Sequence, residues 1–203
     1  MTVIIGIDPH KASHTAVAID QDEQPLAELR IAAATGQAQR LLACAAPFED
    51  RAWAVESADG LGKLLAQQLV AEGEHVIDVP PTLAARVRLL GSSKASKNDP
   101  NDALSTAVAG LRHGGLRPVV ADDHRVVIRL LVRRFGDVTA SRTRAACRLH
   151  AVLAELIPGG MPRKLKADQA AKVLRRVRST NPVDQARRQL ATDLIGDIRR
   201  HDR

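Results

Sequence analysis

Val3, Ile4, Ile5 and Ile7 form a nearly unbroken β-branched run, the pattern of a strand covered on both faces. The run stops at Asp8, and Pro9, which has no N–H for a ladder, closes it. Strand patterning resumes over residues 14–19 after a short polar turn and again over residues 25–33, so the chain opens as a three-stranded antiparallel meander. Residues 37–46 follow as a helix, with Ala38, Leu41, Leu42 and Ala45 at helical spacing. Residues 51–56 make a short strand that ends, like the first, in a carboxylate, Glu56. A turn at Asp59-Gly60 leads to a helix over residues 61–72, whose Leu61, Leu64, Leu65 and Leu69 are expected to share one apolar face. A fifth strand over residues 74–79 is stopped by Pro80-Pro81, and a helix over residues 82–90 follows.

Three antiparallel strands, then helix–strand–helix–strand, is the order of a ribonuclease-H-like (RuvC-like) α/β fold: a mixed sheet with flanking helices. In that order strands one and four are parallel neighbours, so Asp8 and Glu56 are expected side by side. Residues 91–98 read as a polar, basic, mobile loop. Asp99-Pro100-Asn101-Asp102 then opens a helix to about residue 112, with Asp99 expected as N-cap and Pro100 in the first helical position. Asp99 and Asp102 thus share one helix end, where capping and metal ligation both suit them.

Beyond residue 121 the period changes. Ile128, Leu131, Phe135, Val138, Arg142, Ala145, Leu149, Val152 and Leu156 step by threes and fours along a helix over residues 122–157. That heptad seam predicts coiled-coil packing, in an oligomer or an intramolecular helical hairpin. Pro158-Gly159-Gly160 ends the helix, and two shorter amphipathic helices are expected over residues 168–178 and 182–200, the second capped by Asn181. The expected organisation is a catalytic α/β domain over 1–120, a long coiled-coil helix over 121–160 and a basic all-α segment over 161–203.

Composition adds two constraints. Trp53, Phe48 and Phe135 are the only aromatics, so the core is aliphatic and aromatic platforms for base stacking are lacking. Cys44 and Cys147 lie far apart with no zinc-ligand spacing, and are expected as buried thiols of a cytosolic protein. No apolar run is long enough to span a bilayer, and Asp8, His10 and Lys11 interrupt any signal-peptide pattern. Charge is more informative. Residues 1–111 carry 9 Lys and Arg against 14 Asp and Glu, and residues 112–203 carry 21 against 9. An acidic module joined to a basic arm suits a polyanionic partner, most simply nucleic acid. Arg142, Arg144, Arg148, Arg175, Arg176 and Arg178, with Lys11, Lys94 and Lys97 near the acidic module, are the candidate phosphate contacts.

Asp8, Glu56, Asp99 and Asp102 each stand at an element terminus that the expected sheet order brings to one edge. Mg²⁺ takes oxygen ligands and gathers phosphate oxygens into the same shell. Two such ions about 4 Å apart can activate a nucleophile and stabilise the leaving oxygen of a phosphodiester. Without metal, four clustered carboxylates raise one another's pKa.

Gly6-Ile7-Asp8-Pro9-His10-Lys11, Val55-Glu56-Ser57-Ala58-Asp59-Gly60 and Lys97-Asn98-Asp99-Pro100-Asn101-Asp102-Ala103 resemble the motifs of the DEDD transposases of bacterial insertion sequences, relatives of the pilin-gene invertases. The residues from Arg144 to Leu153 resemble that family's connecting helix. The resemblance implies a catalytic and metal-binding tetrad of Asp8, Glu56, Asp99 and Asp102 using Mg²⁺ or Mn²⁺. It implies DNA strand cleavage and joining, guided in part of the family by an element-encoded RNA. DNA, guide RNA and a second copy of the chain, as homodimer or higher oligomer through the coiled coil, are the implied partners, in the cytoplasm at the nucleoid. Ser57-Ala58-Asp59-Gly60 departs from the family's tighter Glu-x-(Thr/Ser)-Gly turn. The resemblance also implies a second domain with a serine of the strand chemistry beyond the helical region, which is not expected within these 203 residues. The alternative is a non-catalytic nucleic-acid-binding and dimerisation fragment. A sugar-kinase or actin-like ATPase would need a second glycine-bearing phosphate loop after a later strand, and none is present in the sequence.

Overall fold

The computed structural model of the chain describes residues 2–91 and 98–202, which divide into two compact units meeting at residues 122 and 123. Lys94 and Lys97, and most of the loop expected to be mobile, lie outside the described residues.

The first unit is a five-stranded mixed sheet of β1 (Val3–Pro9), β2 (Ser13–Ile19), β3 (Pro25–Ala32), β4 (Arg51–Glu56) and β5 (Val76–Val79), in the order β3-β2-β1-β4-β5. The β1–β2 and β2–β3 pairs are antiparallel and the β1–β4 and β4–β5 pairs parallel. This is the ribonuclease-H-like order, and β1 at its centre is buried throughout. At the β5 edge the N–H of Asp78 donates to the Arg117 carbonyl (2.9 Å) and that of Val119 to the Val76 carbonyl (2.8 Å).

Side-chain alternation divides the sheet into two faces. Ile5, Ile7, Ala16, Trp53 and Val55 pack with Leu41 of α1 (Gln37–Ala45) and Leu65 and Leu69 of α2 (Lys63–Ala71). Ile4, Val17, Ile19, Ala54 and Val79 pack with Ala84 of α3 (Pro81–Gly91) and Ala103 and Ala107 of α4 (Asp99–Arg112). Asp8 and Glu56 continue the second face by two-residue alternation from Ile4 and Ala52, and so lie under the start of α4. The expected four-leucine face of the helix after β4 is only half buried. α2 starts at Lys63, leaving Leu61 in the preceding turn, and Leu64 points outward.

A polar clasp ties β4 to the turn before β5. Arg51 Nε donates to Glu74 Oε2 (2.9 Å), Trp53 Nε1 donates to the same oxygen (2.6 Å), and Arg51 Nη1 donates to the Ala45 and Phe48 carbonyls (3.2 and 2.9 Å). The Arg51 hydrogen bonds, opposed by burial and helped by Trp53, hold the Glu74 carboxyl below its ordinary pKa. Its folded-state pKa is lowered, so its stabilisation is present at neutral pH and lost as pH falls through the folded value. Glu74→Gln is expected to cost about 2–3 kcal/mol at pH 7, with the deficit against the parent shrinking in acid, as read by urea unfolding at both pH values.

The second unit is helical: α5 (His124–Leu156), α6 (Ala167–Leu174) and α7 (Pro182–His201). Asn181 caps α7 as expected, its side chain accepting from the Asp184 N–H (2.9 Å). α6 is shorter than expected, ending before the Arg175-Arg176 pair. Ala145, Leu149 and Leu153 of α5 pack with Ala170 and Leu174 of α6 and Leu194, Ile195 and Ile198 of α7. The heptad seam is thus covered within the chain over its C-terminal half, while Ile128, Leu131 and Phe135 in its N-terminal half are exposed. Arg142, the charged member of the seam, donates to Asp202 beyond the end of α7 (Nε–Oδ1 2.5 Å). The expectation of two buried thiols fails: Cys44 is half-buried and Cys147 is exposed, because Cys147 faces away from the α6–α7 packing. No helix among the described residues is long and apolar enough to cross a membrane.

Candidate metal centre

The register that pairs Ile7 of β1 with Val55 of β4 makes Asp8 and Glu56 the next positions on adjacent parallel strands. α4 crosses the same face over Gly6. A Cβ there would stand 2.2 Å from the Ala103 carbonyl oxygen and 2.4 Å from the Ala107 nitrogen. Because Gly6 and the small residues Ala103 and Ala107 let helix and strand touch, the first turn of α4 carries Asp99 and Asp102 to the strand tips. Asn98, not Asp99, is the N-cap, its side chain accepting from the Asn101 N–H (2.9 Å). An Asn at that position satisfies the orphan N–H and leaves Asp99 for other contacts.

Asp8 is 8% exposed, and its Oδ2 lies 3.4 Å from His10 Nδ1. Ligand atoms of Asp8, His10 and Asp99 all fall within 4.8 Å of one another, an arrangement able to hold one cation. Glu56 faces this group from β4. Burial first, then the charges of Asp8 and Asp102, push its pKa above the ordinary carboxylate value, against a hydrogen bond from Thr106 and the charge of Arg88. A carboxylate feels its neighbours so only at short range, so Glu56 shares one electrostatic site with Asp8 and Asp102.

Three residues of this site carried no sequence signal. Thr106, fully buried two turns into α4, donates to the Asp102 carbonyl (2.9 Å) and stands 3.5 Å from Glu56 Oε2. Arg88, in the last turn of α3, pairs with Asp102 through Nη1 and Oδ1. Arg30 of β3 pairs with Asp99 (Nη2–Oδ2 3.2 Å). Their partners are remote in sequence, so only knowing which elements pack together would have found them. After Glu56, the divergent turn is held by the Ala58 N–H donating to Asp78 Oδ1 (2.8 Å), with Ser57 in left-handed backbone at φ 52°. Lys11 is exposed in the turn after β1. Arg144, Arg148, Arg175, Arg176 and Arg178 are exposed in the second unit.

The donor set, carboxylate oxygens with one imidazole nitrogen at the rim, suits a divalent cation. Residues 5–158 match the family model of the DEDD transposases of the IS110 type. The chain belongs to this transposase family. Among curated relatives of this DEDD transposase chain, the 44.8 kDa protein of insertion element IS116 from Streptomyces clavuligerus is 31% identical over 156 residues, covering 76% of this chain and 39% of that protein. The 42 kDa protein of insertion element IS900 from Mycobacterium paratuberculosis is 33% identical over 146 residues, covering 69% and 36%. The chain therefore spans under two-fifths of the length of these relatives. Solved structures similar to it include Thermus thermophilus RuvC, at 18% identity and TM-score 0.43 over 58% of this chain and 99% of that one. RuvC of the same organism in complex with a Holliday junction substrate aligns at 18% identity and TM-score 0.45, over 59% and 100%. The strand order, rather than these likenesses, carries the fold assignment.

Proposed function

We propose that the chain is the metal-dependent strand-cleaving part of an insertion-sequence transposase. Asp8, Glu56, Asp99 and Asp102 would hold Mg²⁺ or Mn²⁺ against a DNA phosphodiester, with His10 at the rim. When bound, such ions supply Lewis-acid stabilisation of the phosphoryl oxygens and a nucleophile at neutral pH. The chain's own residues supply the rest. β1 and β4 fix two carboxylates on rigid strand tips, and the α4 N-terminus favours the negative charge of the other two. Thr106 ties its hydroxyl to the Asp102 carbonyl one turn back and stands beside Glu56. The observation that carries the reading is the gathering of Asp8, His10 and Asp99 ligand atoms within 4.8 Å of one another, with the Glu56 carboxyl perturbed by the charges of Asp8 and Asp102.

The reading extends to the rest of the chain as a catalytic domain over 1–120, a coiled-coil arm over 121–160 that pairs copies, and a basic segment over 161–203. DNA, and a guide RNA where the element encodes one, would be gripped through Arg144, Arg148, Arg175, Arg176 and Arg178, with Lys11, Lys94 and Lys97 near the carboxylates. Arg142 is spoken for by Asp202. The action takes place in the cytoplasm, at the nucleoid. A nucleic-acid-binding fragment without catalysis is the second reading, supported by the exposed arginines of the second unit.

Two assays on the purified chain separate these. Filter binding of duplex DNA between 50 and 200 mM salt is expected to give a log–log slope near −4 to −5, one phosphate per exposed arginine, and Gln at positions 175, 176 and 178 together is expected to reduce it by about three. Flat affinity would contradict the basic-arm assignment. Mn²⁺-dependent plasmid nicking that is lost in Asp8→Asn supports cleavage; binding without nicking supports the second reading.

A further inference from the structure

The four carboxylates do not face water alone. Arg88 reaches Asp102 from α3, and its charge is felt at Glu56 as well. The pair is largely buried, at 24% and 13% side-chain exposure, whereas Arg30 and Asp99 on the opposite flank are 65% and 32% exposed. Arg88 is held in place by packing: Leu83 and Val87 of α3 join Leu104 and Val108 of α4 against the second face of the sheet. The guanidinium is thus built into the site at the carboxylate that the α4 first turn offers.

We infer that Arg88 is a positioning residue acting through Asp102: it is the site's resident counter-ion, neutralising the cluster before metal arrives and competing with the metal for Asp102. The inference rests on the proposed metal-binding reading and adds to it. First, four carboxylates brought together with no cation repel one another, and a guanidinium fork is the side chain best suited to relieve that without a metal. Second, a divalent cation needs the same carboxylate oxygens and repels a guanidinium at their side, so loading the site requires Arg88 to release Asp102. A surface groove of about 230 Å³ beside Arg88, lined also by Glu23, Asn101 and Ser105, gives the released side chain room without moving α3. A guanidinium released to that side is suited, by its fork, to the two non-bridging oxygens of a substrate phosphate. Arg88 therefore sets the cation concentration at which the site fills and ties the filling to a side-chain exchange.

The test uses the full purified chain, stripped of divalent ions, with MnCl₂ as the probe in calorimetric titrations and thermal melts. Arg88→Gln is expected to lower the melting temperature without metal, to tighten Mn²⁺ binding about tenfold and to enlarge the Mn²⁺-induced rise in melting temperature. A merely structural arginine would show the first effect without the second. If the wild-type chain binds Mn²⁺ and folded Arg88→Gln binds it equally or more weakly, the inference is wrong while the metal-site reading stands. If neither binds Mn²⁺, both are wrong. Should Arg88→Gln fail to fold, Arg88→Lys decides: it keeps the charge but loses the fork, so about threefold tighter binding supports the inference and unchanged or weaker binding overturns it.

Discussion

Alanine at position 6 is expected to unfold the sheet-bearing unit or to cost it more than about 3 kcal/mol, a drop of about 10 °C or more in melting temperature. The reason is geometric. The added Cβ would lie 2.2 Å from the Ala103 carbonyl oxygen, 2.4 Å from the Ala107 nitrogen and 2.7 Å from the Ala107 Cβ. Two of these are helix backbone atoms, which cannot turn aside as a side chain can. Either α4 lifts from β1, exposing Ala103 and Ala107, or β1 leaves the centre of the sheet. Both outcomes also carry Asp99 and Asp102 away from Asp8. Gly136→Ala is the control: a Cβ there meets nothing within 4 Å in the middle of α5, and the change is expected to stabilise by about 1 kcal/mol. Urea unfolding of both variants by circular dichroism checks the pair. A loss below about 1 kcal/mol for Gly6→Ala would mean the α4–β1 contact is looser than described.

Asp8→Asn is expected to weaken Mn²⁺ binding by at least about a hundredfold, since loss of a mere supporting partner of a metal ligand already costs 10–100-fold. It should do so without lowering stability in the absence of metal, because it removes a charge from a crowded acidic cluster. The neighbouring Glu56 reports the change. Its carboxyl is held above the ordinary range by burial and by the charges of Asp8 and Asp102, so Asp8→Asn should bring it down, as followed by carboxyl NMR titration. The sign of the pH dependence follows. A raised folded-state pKa means that this group's favourable contribution is full below the unfolded value and disappears as pH rises through the folded one. Metal-free protein should therefore lose stability from this group toward neutral pH. Metal affinity should rise over the same interval, because ligation requires the ionised carboxylate.

The strand order and the approach of Asp8 to Glu56 were legible because they follow from two short β-branched runs that each end in a carboxylate. Parity along the strand did the rest: two-residue alternation puts both acids on the face that also receives α4. Asp99 and Asp102 were legible as a helix start but not as a capping question, since Asn98 and Asp99 are both good caps and only the backbone chooses between them. Gly6 was visible merely as a letter in a motif. Its role, admitting α4 to contact with β1, depends on Ala103 and Ala107 a hundred residues away. Arg88, Arg30 and Thr106 escaped for the same reason, as lone residues whose partners are set by helix packing. Periodicity was misread as burial at the helix after β4, where Leu61 and Leu64 sit at helical spacing yet are exposed. Apolar spacing shows what a helix can bury, and only the neighbouring element decides what it does bury.

The most direct test of the shared acidic site is anomalous diffraction from crystals of the chain soaked in Mn²⁺. Density is expected within ligand distance of Asp8 and of at least one of Glu56, Asp99 and Asp102, with Arg88 turned away from Asp102. Saturating Mn²⁺ that binds elsewhere, while Arg88 and Arg30 keep their contacts to Asp102 and Asp99, would contradict it.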